Sequence, residues 1–189
     1  MELPIELKIA SEKLVEGISQ AGLTERAKEL SRRYMCESGT GKSLLTKKEE
    51  AAVYSLMRMP ATFGAVSSVL EQVCMASDFV PRSLLDAGAG TGAGSWAASQ
   101  YFMFDKITCL EREDAMAAIG KKLMSEAVDE VLKNAFWVKA DLCDEAGKAK
   151  EGIETVYQSD LVIASYVLNE MTEEGRMNVI KWLWNNTKK

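Results

Sequence analysis

Leu84-Leu85-Asp86-Ala87-Gly88-Ala89-Gly90-Thr91-Gly92 is the stretch whose reading decides the fold. It opens as an apolar strand and then places a glycine at every second position. A strand that turns sharply into a helix, with its backbone passing close to a ligand, needs this pattern. Gly88, Gly90 and Gly92 remove the side chains that would block such a turn. The helix beyond offers unpaired N–H groups and the positive end of its dipole. A glycine trio alone is weak evidence, because a purely structural turn uses the same residues.

The chain downstream keeps one rhythm. Arg82 to Asp86 reads as a first strand, and Thr91 to about Phe102 as the helix after the loop. Lys106 to Glu111 reads as a second strand and Glu113 to about Val131 as a helix. Ala135 to Ala140 is a third strand, followed by a polar helical stretch from Asp144 to about Glu154. Asp160 to Ser165 is a fourth strand, and Thr172 to Asn185 closes the chain as a helix. Strands alternating with helices predict a parallel, doubly wound α/β sheet.

Upstream the pattern is helical. Ile5, Ile9, Leu14 and Ile18 recur at near-helical spacing. Thr24 reads as an N-cap for Glu25 to Glu37, and Thr46 with Glu49 as a capping box for a helix to about Met59. Pro60 predicts an interruption, with a new helix from Pro60 to Met75. The expected division is therefore a helical region over 1–79 and a Rossmann-like domain over 80–189. Between Thr24 and Lys48, seven basic residues oppose three acidic ones. That stretch can meet phosphates or form a solvated helix face. Ser38-Gly39-Thr40-Gly41-Lys42-Ser43 imitates a phosphate-binding loop, but the motif needs a glycine where Cys36 stands, and no strand precedes it.

Composition narrows the chemistry. The 189 residues are 47% hydrophobic and 27% charged, ordinary for a globular chain with a sizeable core. Histidine is absent, which excludes Ser-His and Cys-His nucleophiles and histidine-ligated metals. Cys36, Cys74, Cys109 and Cys143 are widely spread, so no zinc site is indicated and free thiols in a reducing compartment are expected. A net charge of −5 argues against a general nucleic-acid coat, and no DNA partner is expected. No apolar run approaches a membrane span and no signal peptide is read at the N-terminus, so a cytoplasmic location is expected.

Two further acids give the glycine loop its company. Glu111 falls at the end of the second strand, where a carboxylate can accept from both hydroxyls of a ribose. Asp141 follows the third strand, where an acid can accept from an adenine amino group. Each has a plainer reading, as a helix cap or surface acid. Both lie at strand C-terminal ends, where open α/β sheets bind ligands. The loop also fits G-x-G-x-x-A through Gly88, Gly90 and Ala93, which keeps a nicotinamide dinucleotide open. Asp86, two residues before the first glycine, favours D-x-G-x-G-x-G with a later acid, the arrangement for S-adenosylmethionine. The expected cofactor contacts are Asp86, Ala87, Gly88, Gly90, Gly92, Glu111, Arg112, Asp141 and Leu142.

Four phrases carry a resemblance. They are Arg58-Met59-Pro60-Ala61-Thr62-Phe63, Pro81 through Gly92, Cys109-Leu110-Glu111-Arg112-Glu113 and Ser165-Tyr166-Val167-Leu168-Asn169-Glu170. In order from about Ser31 onward, the chain resembles the small-ribosomal-subunit methyltransferase-like family. That family includes mitochondrial small-subunit assembly factors and bacterial proteins described as ribosomal RNA methyltransferases. The resemblance implies a class I methyltransferase fold that binds S-adenosylmethionine through Gly88, Gly90, Glu111 and Asp141. It further implies a small-subunit or ribosomal RNA partner, docking by the helical N-terminal region, and a place for Arg58 and Pro60 at the cofactor or RNA face.

There is also a departure. Family members continue beyond the last helix into another strand and a hairpin, whereas this sequence stops at Lys189. The expectation is a C-terminally truncated sheet whose fourth strand, Leu161 to Ala164, is a nearly bare edge open to self-association. Eukaryotic members are associated with an iron–sulfur cluster, and none of the four cysteines maps onto its ligands. After the fourth strand stands Ser165-Tyr166-Val167-Leu168-Asn169 rather than an Asn-Pro-Pro-Tyr type of segment. Tyr166 reads either as a base-stacking ring or as packing for the next helix. No catalytic residue is assigned. A methyltransferase and a non-catalytic, cofactor-binding assembly factor both remain open.

Overall fold

A computed structural model describes residues 2–37, 48–142 and 157–188. The expected Thr46 cap, the 38–43 loop, Cys36 as a side chain, Cys143 and the 144–154 helix lie outside the described residues.

Four strands form one parallel sheet: β1 (Ser83–Ala87), β2 (Lys106–Glu111), β3 (Phe136–Lys139) and β4 (Leu161–Ile163). Their order is β3-β2-β1-β4, so β1 lies inside and the chain reverses direction of travel between β3 and β4. The register pairs Asp86 with Cys109 and with Ile163, and Glu111 with Lys139. Alternation along β1 and β2 feeds two apolar layers, as the period of two demands. Leu84, Ile107 and Cys109 face one cluster, while Leu85, Ala87 and Leu110 face the other.

The first layer is helical. It contains α1 (Ile5–Leu14), α2 (Gln20–Glu37), α3 (Lys48–Ala76), α4 (Ala93–Ala98) and α5 (Asp114–Met124). Leu7, Leu30, Met59, Phe63 and Trp96 share one apolar cluster with Leu84 and Ile107, so the upstream helices and the sheet are packed without a gap. The second layer holds α7 (Glu173–Asn186), which presents Val179 to Leu85 and Leu110. Thr172 caps α7 by accepting from Gly175 N–H at 3.2 Å. The short helix α6 (Glu130–Lys133) is capped by Asp129.

Three helical expectations change. The predicted break at Pro60 does not occur, since α3 runs through it. Pro60 is exposed, while Met59, Phe63, Val66 and Leu70 bury the opposite face. That burial offsets the lost backbone hydrogen bond, a cost of about 3 kcal/mol in a helix interior. The second helix begins at Gln20 rather than near Thr24, because Ser19 Oγ accepts from Gly22 N–H at 3.2 Å. The helix expected to reach Val131 ends at Met124, where Ser125 Oγ turns back to donate to Lys122 O.

Among the described residues β4 has no strand on its outer side. One parallel bridge, Ser159 to Thr187, touches its start, with Ser159 N–H donating to Asn186 O and Lys188 N–H to Ser159 O. Asp160 ties the start of β4 to that of β1. Its Oδ2 accepts from Arg82 N–H, Ser83 N–H and Ser83 Oγ at 2.8–2.9 Å. Those bonds hold its carboxyl down at about 2.

Candidate functional site

The glycine loop lies between β1 and α4, at the C-terminal edge of the sheet. Gly88, Gly90 and Gly92 all take left-handed backbones, at φ 72, 58 and 89. Gly88 and Ala89 both donate to Leu110 O at 2.9 Å, which pins the loop to the end of β2. A Cβ on Gly88 would fall 2.6 Å from Val167 Cγ2, and one on Gly92 2.4 Å from Met124 Cε. Gly90 differs: a Cβ there would meet only Met116 Cε, at an ordinary contact distance of 3.4 Å, so the position is uncrowded.

Glu111 reaches this uncrowded position. Its Oε2 accepts from Gly90 N–H at 2.7 Å and its Oε1 from Glu113 N–H at 2.8 Å. Burial pushes its carboxyl up, and these two N–H groups pull it back down. Each carboxylate oxygen has a second lone pair, so acceptor capacity is left for hydroxyl groups. Arg112 beside it points Nε at Glu113 Oε1, 3.4 Å away. The β2–β3 ladder extends past its last paired residues, with Ala140 N–H donating to Glu111 O at 3.2 Å. Asp141 is therefore held next to the end of β2. The loop and Glu111 meet at the C-terminal edge of the sheet, with Asp141 one residue beyond Ala140, and a fixed carboxylate beside an open-turn glycine backbone fits a ribose-bearing cofactor.

Three expected contacts point elsewhere. Asp86 is fully buried beneath the loop. Its Oδ2 accepts from Ser95 N–H at 2.9 Å and Ser95 Oγ at 2.8 Å, stapling α4 to β1. Burial pushes its carboxyl up to about 6 despite both bonds, and Oδ1 has no hydrogen-bond partner. Ala87 and Leu142 are buried in the second apolar cluster. Whatever these three contribute to a ligand comes through backbone or loop shape.

Other residues shape the site without having been singled out. Gly94 leaves room for the Asp86 carboxylate, whose Oδ2 would lie 2.9 Å from a Cβ there. Ser95 completes that staple. Ser55 Oγ, on α3, donates to Thr91 Oγ1 at 3.2 Å, joining the upstream helices to the loop. Glu170 approaches from the turn after β4. Burial raises its carboxyl, Arg112 lowers it, and Glu111 and Glu113 raise it further. Gly94 and Ser95 were visible as a second small-residue pair after the trio. The Ser55 and Glu170 contacts are long-range and had no local signal. The basic stretch upstream is partly neutralised, Arg26 by Glu49 at 3.2 Å and Arg32 by Glu29 at 2.9 Å. No acid or thiol cluster suited to a metal occurs among the described residues. No described helix is long and apolar enough to cross a membrane.

A parallel sheet ordered β3-β2-β1-β4, a glycine loop after β1 and a carboxylate after β2 define a Rossmann-like fold of the class I methyltransferase type. The magnesium protoporphyrin IX methyltransferase of Synechocystis PCC 6803, solved with bound SAM, shares that fold. It superposes with a TM-score of 0.51 at 15% identity, over 100% of this chain and 74% of that one. The chain belongs to the mitochondrial small ribosomal subunit Rsm22 family, whose profile matches residues 48–189. The human mitochondrial ribosome assembly protein METTL17 is 26% identical over 142 residues, 71% of this chain. This chain spans only 29% of that protein's length.

Proposed function

We propose that this protein binds S-adenosylmethionine at the C-terminal edge of its sheet and acts with the small ribosomal subunit as a ribosomal RNA methyltransferase. One observation carries the cofactor half: Glu111 is fixed by the N–H of Gly90, the least crowded glycine of the loop. The family and the human relative's role in ribosome assembly support the partner half. In this reading Glu111 accepts from the ribose hydroxyls, and Asp141 accepts from the adenine amino group. Gly90 gives the cofactor's methionine end its approach to the loop backbone, and Gly88 shapes the turn against Val167. The bound cofactor supplies an activated methyl group on a sulfonium, so the protein's task is to hold the acceptor in line with it. The expected cytoplasmic site of action remains part of the proposal.

A second reading, a non-catalytic assembly factor shaped by its cofactor, is favoured by one feature. The residue that packs onto Gly88 after β4 is Val167, whose aliphatic side chain offers no hydrogen-bond acceptor to a target amine. Methyl transfer from labelled S-adenosylmethionine to small-subunit particles separates the two. The first reading expects label in RNA with wild type and, at sub-saturating cofactor, much less with Glu111→Ala. Particle and cofactor binding without transfer would establish the second.

A further inference from the structure

Ser55 and Thr91 form a polar pair inside an apolar layer. Ala51, Ala52 and Met59, the neighbours of Ser55 along its face of α3, are all buried in the first cluster. Ser55 is buried too, as is Thr91 in the glycine loop, and their hydroxyls meet at 3.2 Å. A hydroxyl sealed among apolar side chains is costly unless paired, whereas two apolar groups of the same shape would carry no polar cost. A serine within a helix can turn its hydroxyl back onto a carbonyl of its own helix. Ser55 instead reaches across 36 positions to the loop. Thr91 stands between Gly90 and Gly92, both left-handed. Glycines lose the most conformational freedom on ordering and bring no side chain to hold them. Thr91 gives this part of the loop a polar anchor. An ideal Cβ on Gly120 of α5 would fall 3.2 Å from the Thr91 carbonyl carbon, so Thr91 is packed between α3 and α5. Gly90, the residue before it, donates the N–H that holds Glu111 Oε2 at 2.7 Å.

A loop binds its ligand in proportion to the time it spends in the receptive shape. Fixing that shape beforehand removes an ordering cost from binding. We propose that Ser55 is a positioning residue for the cofactor: its hydroxyl fixes Thr91, and through Thr91 the Gly90 N–H that holds Glu111. The proposal rests on the cofactor reading above and adds a control on affinity from a helix outside the sheet. Linkage makes the effect reciprocal, so cofactor bound at the loop steadies α3 by as much as α3 tightens the cofactor.

The test is calorimetry of the whole chain with S-adenosylmethionine, at a temperature well below the Tm of every variant. Ser55→Ala and Thr91→Val should each weaken binding about 3- to 10-fold, the net worth of one hydrogen bond. The double variant should be no weaker than either single one, because both remove the same bond. Thr91→Ser keeps the hydroxyl and should recover the affinity that Thr91→Val loses, although its missing methyl lowers the Tm. A merely structural pair would move the Tm and leave affinity alone. Amide exchange across residues 48–59 should slow when cofactor is added to wild type, and much less in Ser55→Ala. Unchanged affinity in both single variants, additive losses in the double one, or no recovery in Thr91→Ser would overturn the positioning role. A wild type that binds no S-adenosylmethionine would overturn the cofactor reading itself.

Discussion

Gly88 and Gly90 share a left-handed backbone but are glycines for different reasons. Gly88 is also crowded by Val167, whereas a Cβ on Gly90 would meet only Met116 Cε at ordinary contact distance. Gly88→Ala should cost the αL penalty plus overpacking, together about 2–5 kcal/mol in urea unfolding. Gly90→Ala should cost only about 1–2 kcal/mol, yet abolish S-adenosylmethionine binding in calorimetry. Equal binding by wild type and Gly90→Ala would take the ligand off the loop. Asp86 makes a separate prediction. Its folded carboxyl sits at about 6, against 3.8 when unperturbed. The folded state thus binds the proton more tightly, so this stability is full below about pH 4 and is lost as pH rises through about 6. The linkage amounts to about 3 kcal/mol. Glu111 and Glu170 shift in the same direction, while Asp160 acts oppositely and at lower pH. Asp86→Asn should flatten most of the fall in stability between pH 4 and 6, measured by urea unfolding at each pH. An unchanged slope would show that Asp86 is not the titrating group.

Among the elements, α3 carries the largest local conflict. Pro60 sits inside a 29-residue helix, on its exposed side. Restoring the N–H with Pro60→Ala should raise stability by up to about 3 kcal/mol. No gain in Tm would mean that the helix has adapted to the proline. The same residue explains why sequence reading failed here. The proline rule is local, whereas Met59, Phe63, Val66 and Leu70 keep the helix continuous through tertiary packing. Short buried strands were easier to read, and β2 has the expected bounds, Lys106 to Glu111. Its apolar run is too short for a helix and ends in four charged residues, Glu111 to Asp114. The start of α2 was misplaced because Ser19 and Thr24 are equally good caps by type, and only the fold selects between them.

At the scale of the molecule, the parallel α/β class was legible because strands alternate with helices, whereas the order β3-β2-β1-β4 was not. The candidate site was legible as far as its acids fall at strand ends, as Glu111 and Asp141 do. What the sequence could not show was depth. Asp86 and Glu111 look alike in a motif, yet one is sealed beneath the loop and the other bonds to its backbone. Nor could it show that Ser55 reaches Thr91 across 36 positions and links the upstream helices to the loop. The central claim is that Glu111 and the loop form one cofactor site, and calorimetry of wild type and Glu111→Ala tests it most directly. Wild type should bind S-adenosylmethionine at one site per chain and ignore NAD. Glu111→Ala should weaken that binding about 10- to 100-fold, the worth of charge-assisted hydrogen bonds, while keeping its fold by circular dichroism. Binding of NAD instead, or equal S-adenosylmethionine affinity in both proteins, would contradict it.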